Sequence, residues 1–235
     1  MTSGHSGTKA APPTWEVRLP ERDKVPLGAR KPRGTVVVWP GEPGEEHLQV
    51  PLAVAKSLLR KQKEGLEVGS RAELLYRIRE SSAACARERL SRLLAHRDYS
   101  QAEASDKLRM DGYSSSCVEE VVGRAVEVGL VDDHRFAEAF IRTKVLSGWG
   151  IQRIERELSQ RGVQASIVEG WPYDFVEEDE FERAYAIART RSLSRRLNFA
   201  SIARFLAARG FSGGVASQVA RKIVAEAEAE AAIGD

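Results

Sequence analysis

A repeat of nearly fifty residues governs what this chain can fold into. Three stretches share one template: an apolar or small residue, Leu four positions later, then Gly and an apolar residue after four more. They are Ala104, Leu108, Gly112 and Tyr113; Ile154, Leu158, Gly162 and Val163; and Ile202, Leu206, Gly210 and Phe211, with the glycines 50 and 48 residues apart. Positions four apart share one face of a helix, so the first two residues of each set can meet a common core. Glycine then ends the helix, because it adopts positive φ cheaply just past the last turn, and the apolar residue behind it folds back onto that turn.

Further helical stretches flank each template. Phe136, Ala137, Phe140 and Ile141 precede the middle one, and Phe181, Ala184, Tyr185 and Ala188 precede the last, both spaced for a buried face. A helix is expected after every glycine, with Val118 and Val122, then Ile167 and Val168, then Val215, Val219 and Ile223 as its apolar positions. IRTKVLS (Ile141 to Ser147) and ARTRSLS (Ala188 to Ser194) match in register, which favours duplication over coincidence. A unit of roughly 45 residues buries too little surface to stand alone, so three in series should stack. The fold class expected is all-α: three tandem three-helix modules in an elongated array.

The region ahead of the repeats reads differently. Residues 1–34 carry Pro12, Pro13, Pro20, Pro26 and Pro32 without an apolar period and read as a disordered basic arm. TVVVW from Thr35 and HLQVPL read as a β-hairpin, resting on a helix suggested by Ala53 to Lys63, so 35–69 form a small hairpin-plus-helix segment. Ser70 and Glu73 have capping-box spacing and should open a long helix, with a break or bend at the small residues Ser81 to Ala86. The modules then occupy 70–131, 132–173 and 174–227, followed by an acidic tail at 228–235.

The balance of 36 basic against 34 acidic residues gives a net charge of only +2 and conceals local patches. The two cysteines, Cys85 and Cys117, have no CxxC partner, which points to no zinc or disulfide framework and to a reducing cytoplasm. No apolar run is long enough to cross a bilayer, and the start lacks a secretory pattern.

The middle repeat, LVDDHRFAEAFIRTKVLSGWGIQRIERELSQRGV, resembles the RecX family through Asp132, Asp133, Phe136, Ala137, Phe140, Ile154, Leu158 and Gly162. The first repeat looks like that family's opening module through Arg97, Ser100, Glu103, Lys107, Leu108 and Gly112, and the likeness covers roughly Ala83 to Val224. Ala104 departs from it, standing where a larger apolar residue is expected. The resemblance implies a monomeric regulator that lies in the groove of the RecA filament on single-stranded DNA. It further implies inhibition of strand exchange, ATP turnover and the co-protease activity toward the SOS repressor, with single-stranded DNA as a direct partner too.

Basic residues are the candidates for contact. Arg189, Arg191, Arg195 and Arg196 crowd eight residues without an acid, and guanidinium groups suit phosphates and carboxylates alike. The simpler reading is a solvated helix end, where cations offset the carbonyl dipoles. Arg142, Lys144, Arg153 and Arg156 offer a second set, but Glu155 and Glu157 interleave with it and suggest intrahelical ion pairs. Arg97 is a candidate in the first module. Trp149, in a GWG loop, could stack on a base, although packing on its own module is the favoured expectation. Asp132 and Asp133 read as a helix cap rather than a metal site, and the run from Asp174 to Glu182 as the acidic start of the third module.

His5, His47, His96 and His134 are scattered, and neither a nucleophile elbow nor a phosphate-cradling loop occurs, so neither catalysis nor a cofactor or metal is expected. A helix-turn-helix transcription factor and a helical scaffold for another protein are the competing readings. Against the former, the segments after Gly112 and Gly162 read SSSCVEEVVG and QASIVEG, poor in the bases a recognition helix needs.

Overall fold

The computed structural model describes residues 14–20, 31–39, 44–176, 179–194 and 198–233. They form two compact units: the described residues of Met1–Asp98 with Glu103–Val131, and Tyr99–Ala102 with those of Asp132–Asp235.

The first unit opens with a three-stranded antiparallel sheet in chain order: β1 (Thr14–Arg18), β2 (Arg33–Trp39) and β3 (Glu46–Pro51). The strand β1 corrects the expectation of an arm disordered through residue 34. Trp15 and Val17 alternate with exposed neighbours, and this period of two buries both on one face of the sheet. Thr14 faces Trp39 and Arg18 faces Thr35, so the expected hairpin is the β2–β3 half of a larger sheet. Residues 1–13 and 21–30 of the arm lie outside the described residues. Helix α1 (Leu52–Lys63) covers the sheet as expected and buries Val54, Ala55 and Leu58. Gly34 leaves room for Ala55, since a Cβ there would overlap the alanine methyl.

Ser70 caps α2 (Arg71–Leu94), accepting from the Glu73 N–H at 3.1 Å, while the Glu73 carboxylate turns back to the Gly69 N–H at 3.0 Å. The helix runs unbroken through Ser81 to Ala86, which corrects the expectation of a break there. Alanine favours the helix, and the small side chains let α1 approach, with Lys61 donating to the buried Ser81 hydroxyl at 3.1 Å. Helices α3 (Gln101–Met110) and α4 (Ser115–Glu127) complete the first module.

In the second unit, α5 (Asp133–Leu146) and α6 (Ile151–Gln160) are followed by a single 3-10 turn, Ala165–Ile167, in place of the expected third helix. The stretch from Val163 is short, and Gly170, at φ 77°, and Pro172 close it. The core of this module is Phe136, Ala137, Ile141, Ile154, Leu158, Val163, Ala165 and Val168, with Phe175 packed against it. Asp174 to Val176 are therefore turn residues attached to the second module, not the opening of the third. Glu177 and Glu178 lie outside the described residues, and Glu180 and Glu182 sit in the first turn of α7 (Glu180–Ser194). Helices α8 (Phe199–Arg209) and α9 (Gly213–Ile233) complete the third module. The expected acidic tail from 228 continues α9 to Ile233, because its alternating Ala and Glu are strong helix formers.

The template residues do what their spacing requires. Ala104, Leu108, Ile154, Leu158, Ile202 and Leu206 are all fully buried. Gly112, Gly162 and Gly210 have φ of 93°, 75° and 90°. In each case the next residue's N–H reaches back to the template leucine carbonyl: Tyr113 to Leu108 at 3.2 Å, Val163 to Leu158 at 3.0 Å and Phe211 to Leu206 at 3.2 Å. This is the Schellman ending, formed at each of the three template glycines and also at Gly65, Gly129 and Gly148.

Candidate partner and nucleic-acid interface

The acid pair is structural. Asp132 caps α5 by accepting from the Arg135 N–H at 3.0 Å, a bond that holds its carboxyl below the usual carboxylate range. Asp133 accepts from the N–H of Gln101, the first residue of α3, at 2.7 Å.

Trp149 is half-buried and packs edge-on against Phe140 at 6.3 Å, as the favoured expectation had it. The Arg153 guanidinium lies 3.8 Å and the Lys144 ammonium 4.7 Å from its ring centre, so the indole is a seat for cations. Arg153 also donates to the Ala208 carbonyl at 3.1 Å and is engaged within the unit.

Arg142 pairs with Glu138 one turn back at 2.7 Å and lies 4.9 Å over the Phe175 ring. It borders an open cleft of about 460 Å³ shared with Val145, Leu146, Phe175 and Arg183. Glu157 pairs with Arg161 at 2.7 Å, which lowers its pKa, whereas Glu155 accepts from the Trp171 indole at 3.1 Å. This corrects the expectation that Glu155 and Glu157 pair within the candidate set: the intrahelical pairs are instead Arg142 with Glu138 and Arg161 with Glu157, because a carboxylate reaches a guanidinium four positions away on the same helix face. Arg156 is exposed, and its charge adds to the field that lowers the Glu157 pKa. Arg97 is taken up by Glu103, with bonds of 2.9 and 3.3 Å, and by the Asp98 carbonyl.

In the third module, Arg189 and Arg191 are exposed near the end of α7. Arg189 lies 5.9 Å from the Tyr185 ring, and Arg191 lies 4.4 Å from Phe205, whose ring Arg209 also approaches at 5.0 Å. Arg195 and Arg196 lie outside the described residues. The structure thus gathers Lys144, Trp149 and Arg153 into one cation–aromatic group and Arg191, Phe205 and Arg209 into another. Sequence reasoning missed Arg183 and Arg209. Arg183 is buried and donates to the Trp149 carbonyl at 2.9 Å, and Arg209 donates to the Ser147 carbonyl at 2.9 Å. Such bonds join residues 34 and 62 positions apart and leave no periodic trace.

Among the described residues no group of three or more metal-ligating side chains occurs, and no helix is long and apolar enough to cross a membrane.

Residues 132–170 match the second three-helix domain of RecX, and residues 86–124 match the first. The regulatory protein RecX of Vibrio vulnificus is 38% identical over 126 residues, which make up 51% of this chain and 80% of the relative. The chain belongs to the RecX family. A second relative, the RecX protein of Halorhodospira halophila, is 33% identical over 136 residues, spanning 54% of this chain and 80% of its own. Two RecX crystal structures share the fold at 19% identity. One, from Lactobacillus salivarius, has a TM-score of 0.50 and covers 61% of this chain and 97% of its own. The other, a regulatory protein RecX, has a TM-score of 0.51 and covers 87% and 96%.

Proposed function

We propose that this RecX-family protein acts in the cytoplasm as a non-catalytic monomer that binds the RecA filament on single-stranded DNA. There it restrains strand exchange, ATP turnover and co-protease activity, and so acts on DNA repair, recombination and the SOS response. Membership of a family of regulatory proteins is the observation that carries this reading. The three module endings support it, since repeated modules suit a repeating partner. Arg189 and Arg156 are both exposed, and no ion pair of either occurs among the described residues, so both can meet phosphate. The helix-turn-helix alternative loses ground because the segment after Gly162 is a three-residue turn, too short to read a groove.

The test is RecA's single-strand-dependent ATP turnover and strand exchange titrated with the protein, beside selection from a randomised duplex pool. Inhibition at or below one protein per RecA subunit, with no enriched duplex sequence, is expected. Arg189→Glu with Arg191→Glu should raise the half-inhibitory concentration roughly tenfold, about 1.4 kcal/mol of binding. Unchanged ATP turnover at saturating protein would sink the reading.

A further inference from the structure

The second and third modules, both within the second unit, are stitched together by backbone and arginine bonds. The Gly150 N–H donates to the Arg209 carbonyl at 2.8 Å, and the Arg153 guanidinium donates to the Ala208 carbonyl at 3.1 Å. In return the Arg209 guanidinium donates to the Ser147 carbonyl at 2.9 Å and lies over Gly148, where a Cβ would come within 3.2 Å of it. Arg209 thus sits beside the residue that precedes Trp149, and Arg153 reaches the residue that precedes Arg209. The two cation–aromatic groups are therefore one continuous patch across this seam.

Each ring in the patch carries two cations. Arg153 lies 3.8 Å and Lys144 4.7 Å from the centre of Trp149, while Arg191 lies 4.4 Å and Arg209 5.0 Å from that of Phe205. A ring attracts each cation. Two like charges on one ring nevertheless stand within about one screening length of each other, roughly 10 Å at 0.1 M salt, and they repel. The carbonyl bonds fix Arg153 and Arg209 without neutralising them. Among the described residues no ion pair of Lys144, Arg153 or Arg209 occurs. The nearby acids are engaged elsewhere: Glu157, whose pKa the Arg153 field helps to lower, pairs with Arg161 at 2.7 Å, and Glu180 accepts from the Ile151 N–H at 3.3 Å. The seam thus holds three charges in place that no ion pair offsets.

We infer that this seam is a seat for single-stranded nucleic acid, with Lys144, Arg153, Arg191 and Arg209 meeting backbone phosphates. The inference rests on the RecA reading for its setting, a filament that carries a single strand, and it assigns this face to the strand rather than to the recombinase subunit. Charge complementarity calls for a polyanion, and the flat groups choose which one. A guanidinium seated on an indole offers its outer plane as a platform on which an unpaired base can stack. A single strand gains from both charge and platform. A duplex keeps its bases inside, and an acidic protein segment supplies carboxylates alone.

The test uses the full chain without RecA and follows the fluorescence anisotropy of a dye-labelled oligothymidylate over a range of salt. Lys144→Gln with Arg191→Gln should lower the affinity at least tenfold and flatten the slope of log K against log salt by about 1.4, since each lost phosphate contact on a single strand removes about 0.7. Arg153→Lys keeps the charge but loses the platform, so it should weaken binding roughly fivefold with the slope unchanged. Circular dichroism melts check that both variants stay folded. Affinity and slope equal to the parent's in the double variant would refute the seat, and so would equal affinity of the parent for a duplex of the same length. A double variant that binds the strand like the parent but no longer inhibits RecA ATP turnover would give this face to the recombinase subunit and overturn the inference. If the parent shows the expected strand binding yet leaves ATP turnover unchanged, the RecA reading falls while the seat stands.

Discussion

The endings of α3 and α8 share a backbone solution yet are covered by different chemistry. Gly210 lies against the backbone and Cβ of Arg153, and the carbonyl before it is held by the Gly150 N–H. Gly112 lies against the Arg33 guanidinium, and the residue before it, Asp111, pairs with Lys31 and with Arg89, the latter at 2.7 Å. The segment leading into β2 thus covers in the first module what a neighbouring module covers in the third. A backbone seam tolerates no added atom and ignores pH, whereas an ionic cover yields to both bulk and acid.

Alanine at the two glycines should separate these covers. A Cβ on Gly210 would overlap Arg153 and lie 2.5 Å from its backbone nitrogen, so overpacking adds to the left-handed strain. Gly210→Ala should cost about 4 kcal/mol. A Cβ on Gly112 meets the flexible end of Arg33 at 3.0 Å, leaving mainly the strain, about 1.5 kcal/mol. Urea unfolding followed by circular dichroism measures both, and equal losses would show that the covers are equivalent.

The cores beneath the endings should behave alike. Leu108, Leu158 and Leu206 are each fully buried, so truncation to Ala should cost about 3 kcal/mol at every one. A loss under about 1 kcal/mol at any of them would break the equivalence of the modules.

How much of this was legible depended on the range of the interaction. The template residues and their glycine endings follow from contacts within six positions, and periodicity exposes such contacts. The capping roles of Ser70 and Asp132 were legible for the same reason. Strand β1 was hidden because Trp15 and Val17 give only one repeat of a period of two between prolines, and its pairing partner begins at Arg33. The missing third helix of the second module was masked by two adjacent apolar residues, of which Val168 is buried just past a 3-10 turn while Ile167 is 46% exposed. In the candidate interface, charge clusters were visible but their engagement was not. Arg97 and Arg142 are held by Glu103 and Glu138, while Trp149 gathers Lys144 and Arg153, which only the folded chain brings to its ring.

The smallest effect concerns the ionic cover. Burial alone would raise the Asp111 pKa, but hydrogen bonds from Lys31 and Arg89 outweigh it and hold the carboxyl below its ordinary value. A depressed folded-state pKa means that the unfolded chain binds protons first as pH falls. The stabilisation is therefore complete above the unfolded value of about 3.9 and disappears as pH drops through the lower folded value. Lys31 is 56% exposed, so solvent screens its share, and Asp111→Asn should cost only about 1 kcal/mol at pH 7. Melting the parent and the Asn variant at pH 7 and at pH 3 checks the sign, because the gap between them must narrow in acid. Gly210→Ala, whose cost is steric, should keep its gap at both values. A gap for Asp111→Asn that persists at pH 3 would mean that the carboxylate's shape, rather than its charge, holds the segment before β2 on the end of α3.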